Sequence, residues 1–166
     1  MPDSVLVTVG STQFDKLVAA ACSSSLQQLL TCLGYSQLTI QHGKSFISSA
    51  TSSASKSSLE VTSYAYKSSL HEDMEQADLI ISHAGSGSIL EALRLNKKLV
   101  VVVNEDLMDN HQMELGSALH EQHYLVCCTV STLEKTLQEK EYNSLEPFPQ
   151  PDPSRFANFL DARMGF

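Results

Sequence analysis

Basic side chains are scarce in this chain: 11 Lys and Arg stand against 19 Asp and Glu in 166 residues, a formal net charge of −8. So few cations cannot replace the counterions along a nucleic-acid backbone, which argues against a wide nucleic-acid footprint. An anionic small ligand stays open, because backbone N–H groups and helix termini bind anions without net positive charge. Long apolar runs are missing as well. No segment approaches the roughly 20 apolar residues of a membrane span. The opening Met-Pro-Asp-Ser leads to a short apolar run up to Val9 and then Gly10, without the basic start or long hydrophobic region of a secretory signal. Cysteine is sparse and unpatterned, with Cys22 and Cys32 ten residues apart and Cys127 next to Cys128. That is neither metal nor redox spacing. It predicts buried free thiols in a reducing compartment, the cytosol or the cytosolic face of an organelle. No Cys or carboxylate stands at ligand spacing from His83 or His111, so no metal site is expected.

What is present suits a folded protein: 42% hydrophobic and 18% charged residues. The length supports one core, and residues 1–166 read as a single domain. Residues 4–9 alternate and are β-branched up to Gly10, and Phe14, Leu17, Val18 and Ala21 follow at helical spacing. Residues 26–33 predict a helix stopped by Gly34, and 37–41 a strand. Strand and helix then alternate: strands at 59–65, 78–82, 99–103 and 124–128, helices at 68–76, 88–95, 109–122 and 133–139. After the proline-rich 147–153 a final helix is expected at 154–163. Strands apolar on both faces, alternating with helices, predict a Rossmann-like α/β fold: a parallel sheet with helices on both faces. The serine-dominated stretch 45–58 interrupts this rhythm and reads as a loop, either a flap over a ligand or a surface insertion.

In such a sheet, ligands bind outside the carboxyl ends of the strands, where the winding reverses. Gly10, Ser11 and Thr12 follow the first strand, and His83, Ala84, Gly85, Ser86, Gly87 and Ser88 follow the strand ending at Ser82. The glycines let backbone approach an anion, and the helices that follow present free N–H groups. A tight strand-to-helix turn would use the same residue types. The dinucleotide fingerprint is absent after the first strand, where Gly10 stands alone, and this counts against NAD. Ser88 and Glu91 fit a capping box, yet Glu91 is equally placed to accept hydrogen bonds from a ribose diol. Asp109, Asn110, His111 and Gln112 open a helix with more polar groups than one cap requires, so either capping or ligand contact accounts for them. His83 is divided in the same way between packing and ligand contact. No set of nucleophile, base and orienting residue is evident, and Gly85-Ser86-Gly87 lacks the spacing of a nucleophile elbow.

Three stretches, VTVGSTQFDKL (7–17), ADLIISHAGSGSILEAL (77–93) and VVVNEDLMDNHQMEL (101–115), together resemble one family. It is that of the catalytic subunit of the UDP-N-acetylglucosamine transferase that adds the second GlcNAc to dolichol-linked GlcNAc pyrophosphate early in asparagine-linked glycosylation. The resemblance runs through nearly the whole chain and implies the C-terminal, sugar-nucleotide half of a GT-B glycosyltransferase, acting on UDP-GlcNAc with no further cofactor. It implies that Gly10, Ser11 and Thr12 face the diphosphate, that the loop from Ser82 to Ser88 lies against the nucleotide, and that Glu91 holds the ribose. Asn110, His111 and Gln112 would approach the GlcNAc. The acceptor half would be a separate membrane-anchored subunit at the cytosolic face of the endoplasmic reticulum, presenting the dolichol-linked acceptor. Phe156, Phe159 and Leu160 of the last helix would dock on it, where the bland alternative is that this helix caps its own domain. The chain departs from the family's Gly-Lys-Pro before the fifth strand with Asn96-Lys97-Lys98, which implies a different turn. The departures also leave an alternative: a non-catalytic UDP-sugar-binding or regulatory paralogue of the same fold.

Overall fold

The five apolar residues that follow Lys98 make Lys98–Val103 a strand buried at every residue after Lys98. In the computed structural model, which describes residues 3–45, 47, 59–106 and 110–149 apart from the side chains of 110–112, it is the fifth of six strands. They are β1 (Ser4–Thr8), β2 (Gln37–Gln41), β3 (Glu60–Tyr64), β4 (Leu79–His83), β5 (Lys98–Val103) and β6 (Val126–Thr129). All pair in parallel, in the order β3-β2-β1-β4-β5-β6. Among the described residues six α-helices accompany them, the last after β6: α1 (Asp15–Cys22), α2 (Ser24–Cys32), α3 (His71–Gln76), α4 (Ser86–Arg94), α5 (Asn110–Glu121) and α6 (Leu133–Glu139). The Rossmann-like fold expected from the sequence is present.

The period of two along β1 divides the core. Val5, Val7 and Val9 join Leu17, Leu26, Leu30, Leu133 and Leu137 on the face covered by α1, α2 and α6. Leu6 joins Met74, Ile80, Ile89, Ala92 and Leu119 on the face covered by α3, α4 and α5. β3, at the edge, is short, polar and largely exposed, which discourages pairing with another chain.

Local signals set the breaks. Ser23 adopts an extended conformation between α1 and α2, and its Oγ donates to the Ala20 carbonyl at 2.6 Å while accepting from Leu26 N at 3.3 Å. One hydroxyl thus closes one helix and opens the next. α3 begins at His71, three residues later than the periodicity predicts, because Ser69 Oγ accepts from His71 N and holds the chain before it in a turn. α4 ends at the turn Asn96-Lys97-Lys98. Asn96 takes φ +54°, and Lys97 N reaches back to the Ala92 carbonyl at 3.2 Å. Asn tolerates this left-handed conformation better than other side chains, so it ends α4 as a glycine would.

All four cysteines are free, but they are not uniformly buried as expected: Cys128 is buried, Cys22 and Cys127 are partly so, and Cys32 is exposed. Burial pushes the Cys128 thiol up to about 12 and that of Cys127 upward, so neither is a ready thiolate. Among the described residues no helix is long and apolar enough to cross a membrane. The stretch 45–58 is described only at Ser45 and Ile47, and the expected helix at 154–163, with Phe156, Phe159 and Leu160, lies outside the described residues.

At the amino ends of the strands, the Asp78 carboxylate accepts from Asp3 N at 2.8 Å and Ser4 N at 3.0 Å and so pins β1 beside β4. Burial alone would raise this carboxyl, but those N–H groups, together with Lys97, outweigh it and hold it below its ordinary value. A carboxylate depressed in the fold adds stability that is complete above its unfolded value and lost as pH falls through its folded one. Melting temperatures measured from neutral pH downward are therefore expected to fall more steeply for the wild-type chain than for Asp78→Asn. The two curves should converge in acid, and parallel curves would show that Asp78 contributes nothing to the pH dependence.

Candidate functional site

Because β2 and β4 flank β1, the winding reverses there, and the crevice of an open parallel sheet lies beyond the carboxyl ends of β1 and β4. The register sets Thr8 of β1 beside Ser82 of β4, so the loops that follow the two strands leave the sheet side by side. His83, the last residue of β4, fills the space between them. A Cβ on Gly10 would stand 2.7 Å from its Cε1, and one on Gly85 would stand 2.3 Å from its Nε2. The imidazole is therefore held between two glycines. It is 7% exposed, and its Nδ1 is buried without a hydrogen-bond partner. Burial pushes it below the usual histidine value, with the Thr8 backbone opposing only in part. His83 is thus a neutral wedge that sets the separation of the two loops, which favours the packing reading of this residue.

The β1 loop is held by a residue that sequence reasoning missed. Gln41, buried at the end of β2, makes five hydrogen bonds with its side-chain amide. Its Oε1 accepts from Thr8 Oγ1 at 2.5 Å, Val9 N at 3.2 Å and Gly10 N at 2.9 Å. Its Nε2 donates to the carbonyls of Gly10 at 2.8 Å and Ala65 at 2.7 Å. One amide thus ties the ends of β1, β2 and β3 together. Gly43 lies against the same turn, where a Cβ would come within 2.9 Å of the Gly10 carbonyl oxygen and 2.8 Å of that of Thr12. Ser45 Oγ accepts from Phe14 N at 2.6 Å just before α1. Within the turn, Thr12 Oγ1 donates to the Val9 carbonyl at 2.7 Å, while Ser11 is exposed.

α4 starts at Ser86, with Gly85 as its N-cap and no side-chain cap. This corrects the capping-box reading of Ser88 and Glu91: the helix has already begun two residues earlier, and Ser88 is inside its first turn. The N–H groups of Ser86, Gly87 and Ser88 precede the first intrahelical bond, from Ile89 N to the Gly85 carbonyl. They form an uncapped donor set with the positive end of the helix dipole behind it. Ala84, like His83 before it, is buried: it is 2% exposed and packed in the core, so it offers a ligand no side-chain surface. Glu91 lies four residues from Gly87 on the same face, and the two line a groove of about 440 Å³ together with His71, Leu90, Arg94 and Leu95. The Glu91 carboxylate receives His71 Nδ1 at 3.3 Å. His71 is a second residue that periodicity did not single out.

β5 runs beside β4, with Val102 paired to His83, and delivers the start of α5 to the same edge of the sheet. Asn110, His111 and Gln112 are therefore placed there by their backbone, and their side chains lie outside the described residues. Lys16, in α1, pairs with Asp106, just after β5, at 2.9 Å, and both side chains are exposed. Among the described residues no group of three or more His, Cys, Asp or Glu is placed to hold a metal ion.

Replacing Gln41 with Leu keeps the volume but strands the Thr8 hydroxyl proton and the Gly10 carbonyl, while the Gly10 N–H keeps only its 3.2 Å bond to Thr8 Oγ1. At about 1–3 kcal/mol for each unsatisfied group, partly relieved by local movement, the variant is expected to lose roughly 2–4 kcal/mol of stability. Denaturant titration measures this, and a loss below 1 kcal/mol would mean that the turn holds itself.

The family profile described as the glycosyltransferase family 28 C-terminal domain matches residues 4–162. The UDP-N-acetylglucosamine transferase subunit ALG13 of Mus musculus is 49% identical over 127 residues, covering 76% of this chain but 11% of its own length. The chain therefore spans about a ninth of that relative. The protein of the same name from Yarrowia lipolytica is 33% identical over 167 residues, covering 98% of this chain and 85% of its own. Among solved structures, the NMR solution structure of ALG13 superposes with a TM-score of 0.69 at 27% identity, over 95% of this chain and 94% of that one. The profile spans the sheet and both crevice loops, and the chain belongs to the glycosyltransferase family 28 C-terminal domain family.

Proposed function

We propose that this chain is the donor-binding, catalytic subunit of an inverting transferase that moves GlcNAc from UDP-GlcNAc onto GlcNAc-pyrophosphate-dolichol. The observation that carries this reading is the uncapped N-terminus of α4 facing the Gln41-held Gly10 turn across the switch point of the sheet, in a member of this family. The diphosphate lies between the two loops. It accepts from the N–H groups of Ser86, Gly87 and Ser88 on one side and meets Gly10, Ser11 and Thr12 on the other. Glu91 accepts from the ribose diol, and the start of α5 approaches the sugar. The acceptor hydroxyl attacks the anomeric carbon as its bond to the β-phosphate oxygen breaks, and UDP departs with its growing charge met by donors already in place. The hydroxyl proton passes to a base on a membrane-anchored partner subunit, which also presents the lipid acceptor. The reaction uses no cofactor beyond the donor itself, and it takes place on the cytosolic face of the endoplasmic reticulum. The names of the relatives, each a transferase subunit, support a divided enzyme.

Gly87 separates this reading from a purely structural one. A Cβ there would meet nothing within 4 Å, so Gly87→Ala is expected to leave the fold as stable or up to about 1 kcal/mol more so. In calorimetric titration with UDP it should nonetheless bind more weakly, because the methyl group stands between the helix N-terminus and the diphosphate. Unchanged UDP affinity in the folded variant counts against the placement.

Glu91→Ala is expected to lower UDP affinity by about 1–2 kcal/mol, the scale of a charge-assisted hydrogen bond at a half-exposed site. With membranes carrying the partner and a dolichol-type acceptor, the wild-type chain should transfer GlcNAc and UDP should inhibit it. A complex that binds UDP-GlcNAc yet yields no product would identify a binding module instead.

A further inference from the structure

His71 opens α3, and its imidazole stands between two carboxylates. Nδ1 is 3.3 Å from Glu91 Oε1 on α4, and Nε2 is 3.4 Å from Glu75 Oε1 one turn along its own helix. The first contact joins two helices that are otherwise connected through β4. It also engages one oxygen of the carboxylate proposed to hold the ribose. Among the described residues the other oxygen, Oε2, receives no hydrogen bond, and Glu91 lines the groove shared with Gly87 and Arg94.

A free glutamate on a helix surface samples several rotamers, and ordering it on binding costs side-chain entropy. A donor fixed on one oxygen removes part of that cost beforehand and leaves the second oxygen for the ligand. Glu75 lies on the far side of the ring, 3.4 Å from Nε2 and as exposed as His71 itself, so the orientation of Glu91 rests on the Nδ1 contact. We infer that His71 is a positioning residue for nucleotide selection, orienting Glu91 so that the site discriminates a ribonucleotide from its 2′-deoxy counterpart. This rests on the proposed reading of Glu91 as the ribose acceptor.

The test is calorimetric titration of the full chain with UDP and with 2′-deoxy-UDP. The wild-type chain is expected to prefer UDP by about tenfold, the scale of one charge-assisted hydrogen bond. In His71→Ala this preference should shrink to roughly two- to threefold as Glu91 loses its orientation. His71→Gln, whose amide N–H can still donate to Glu91, should recover part of it. A merely structural role would change melting temperature or weaken both ligands alike and leave the ratio untouched. A full preference retained in His71→Ala overturns the inference while leaving Glu91 as the ribose acceptor. A wild-type chain that binds UDP and 2′-deoxy-UDP equally overturns the ribose reading itself, and this inference with it.

Discussion

The reversal of winding beside β1 is the constraint from which the site follows. The chain leaves β1 toward the face covered by α1 and α2, and leaves β4 toward the opposite face covered by α4. Two adjacent strands whose connections diverge leave a crevice that regular backbone pairing cannot fill. The polar groups at its rim still require partners. Gln41 supplies them for the β1 turn from the neighbouring strand, and His83 fills the gap between the loops with a ring in place of a hydrogen-bonded backbone. The N-terminus of α4 is handled in the opposite way and keeps its donors uncapped. A fold that satisfies one rim internally and leaves the other open is suited to an anion arriving from outside.

The groove along α4 continues this division of labour. Gly87 opens its near end, and Glu91, one turn further on, brings negative charge to a surface whose helix N-terminus favours anions. In the proposed reading such a pair distinguishes the parts of a nucleotide: phosphate oxygens are drawn to the N-terminus and hydroxyl groups to the carboxylate. His71 and Arg94 border the same groove, so the carboxylate works among cationic or donor groups and is not left to repel a diphosphate unopposed.

The sheet was legible because its strands carry continuous β-branched runs, as in Lys98–Val103, and the helices because their apolar positions recur every three or four residues. The loops were legible by residue type, since Gly10, Gly85 and Gly87 stand at strand ends. The partners were not. Gln41 reads in sequence as one polar residue at the end of a strand, and its contacts with Gly10 and Ala65 lie 31 and 24 residues away. Local pattern matching also misassigned Ser88: the capping-box spacing is present, but the N-cap lies three residues sooner, at Gly85. The pairing of His71 with Glu91 depends on α3 and α4 meeting across β4, which no periodicity within either helix reveals.

The glycines of the crevice are glycine for different reasons, and the difference separates scaffold from site. Gly10 is required twice, by its φ of +61° and by the ring of His83 2.7 Å from where a Cβ would lie. Gly85 has an ordinary φ of −84°, and only the approach of His83 excludes a side chain. Gly87 has neither reason, since a Cβ would meet no atom within 4 Å. Glycine in a helix costs roughly 0.5–1 kcal/mol relative to alanine. At positions 10 and 85 the packing of His83 accounts for the residue, whereas at 87 no atom of the described residues makes use of the space. That space opens onto the groove shared with Glu91, beside donors that carry no side-chain cap, and in the proposed reading it is there that the bare backbone of Gly87 meets the diphosphate.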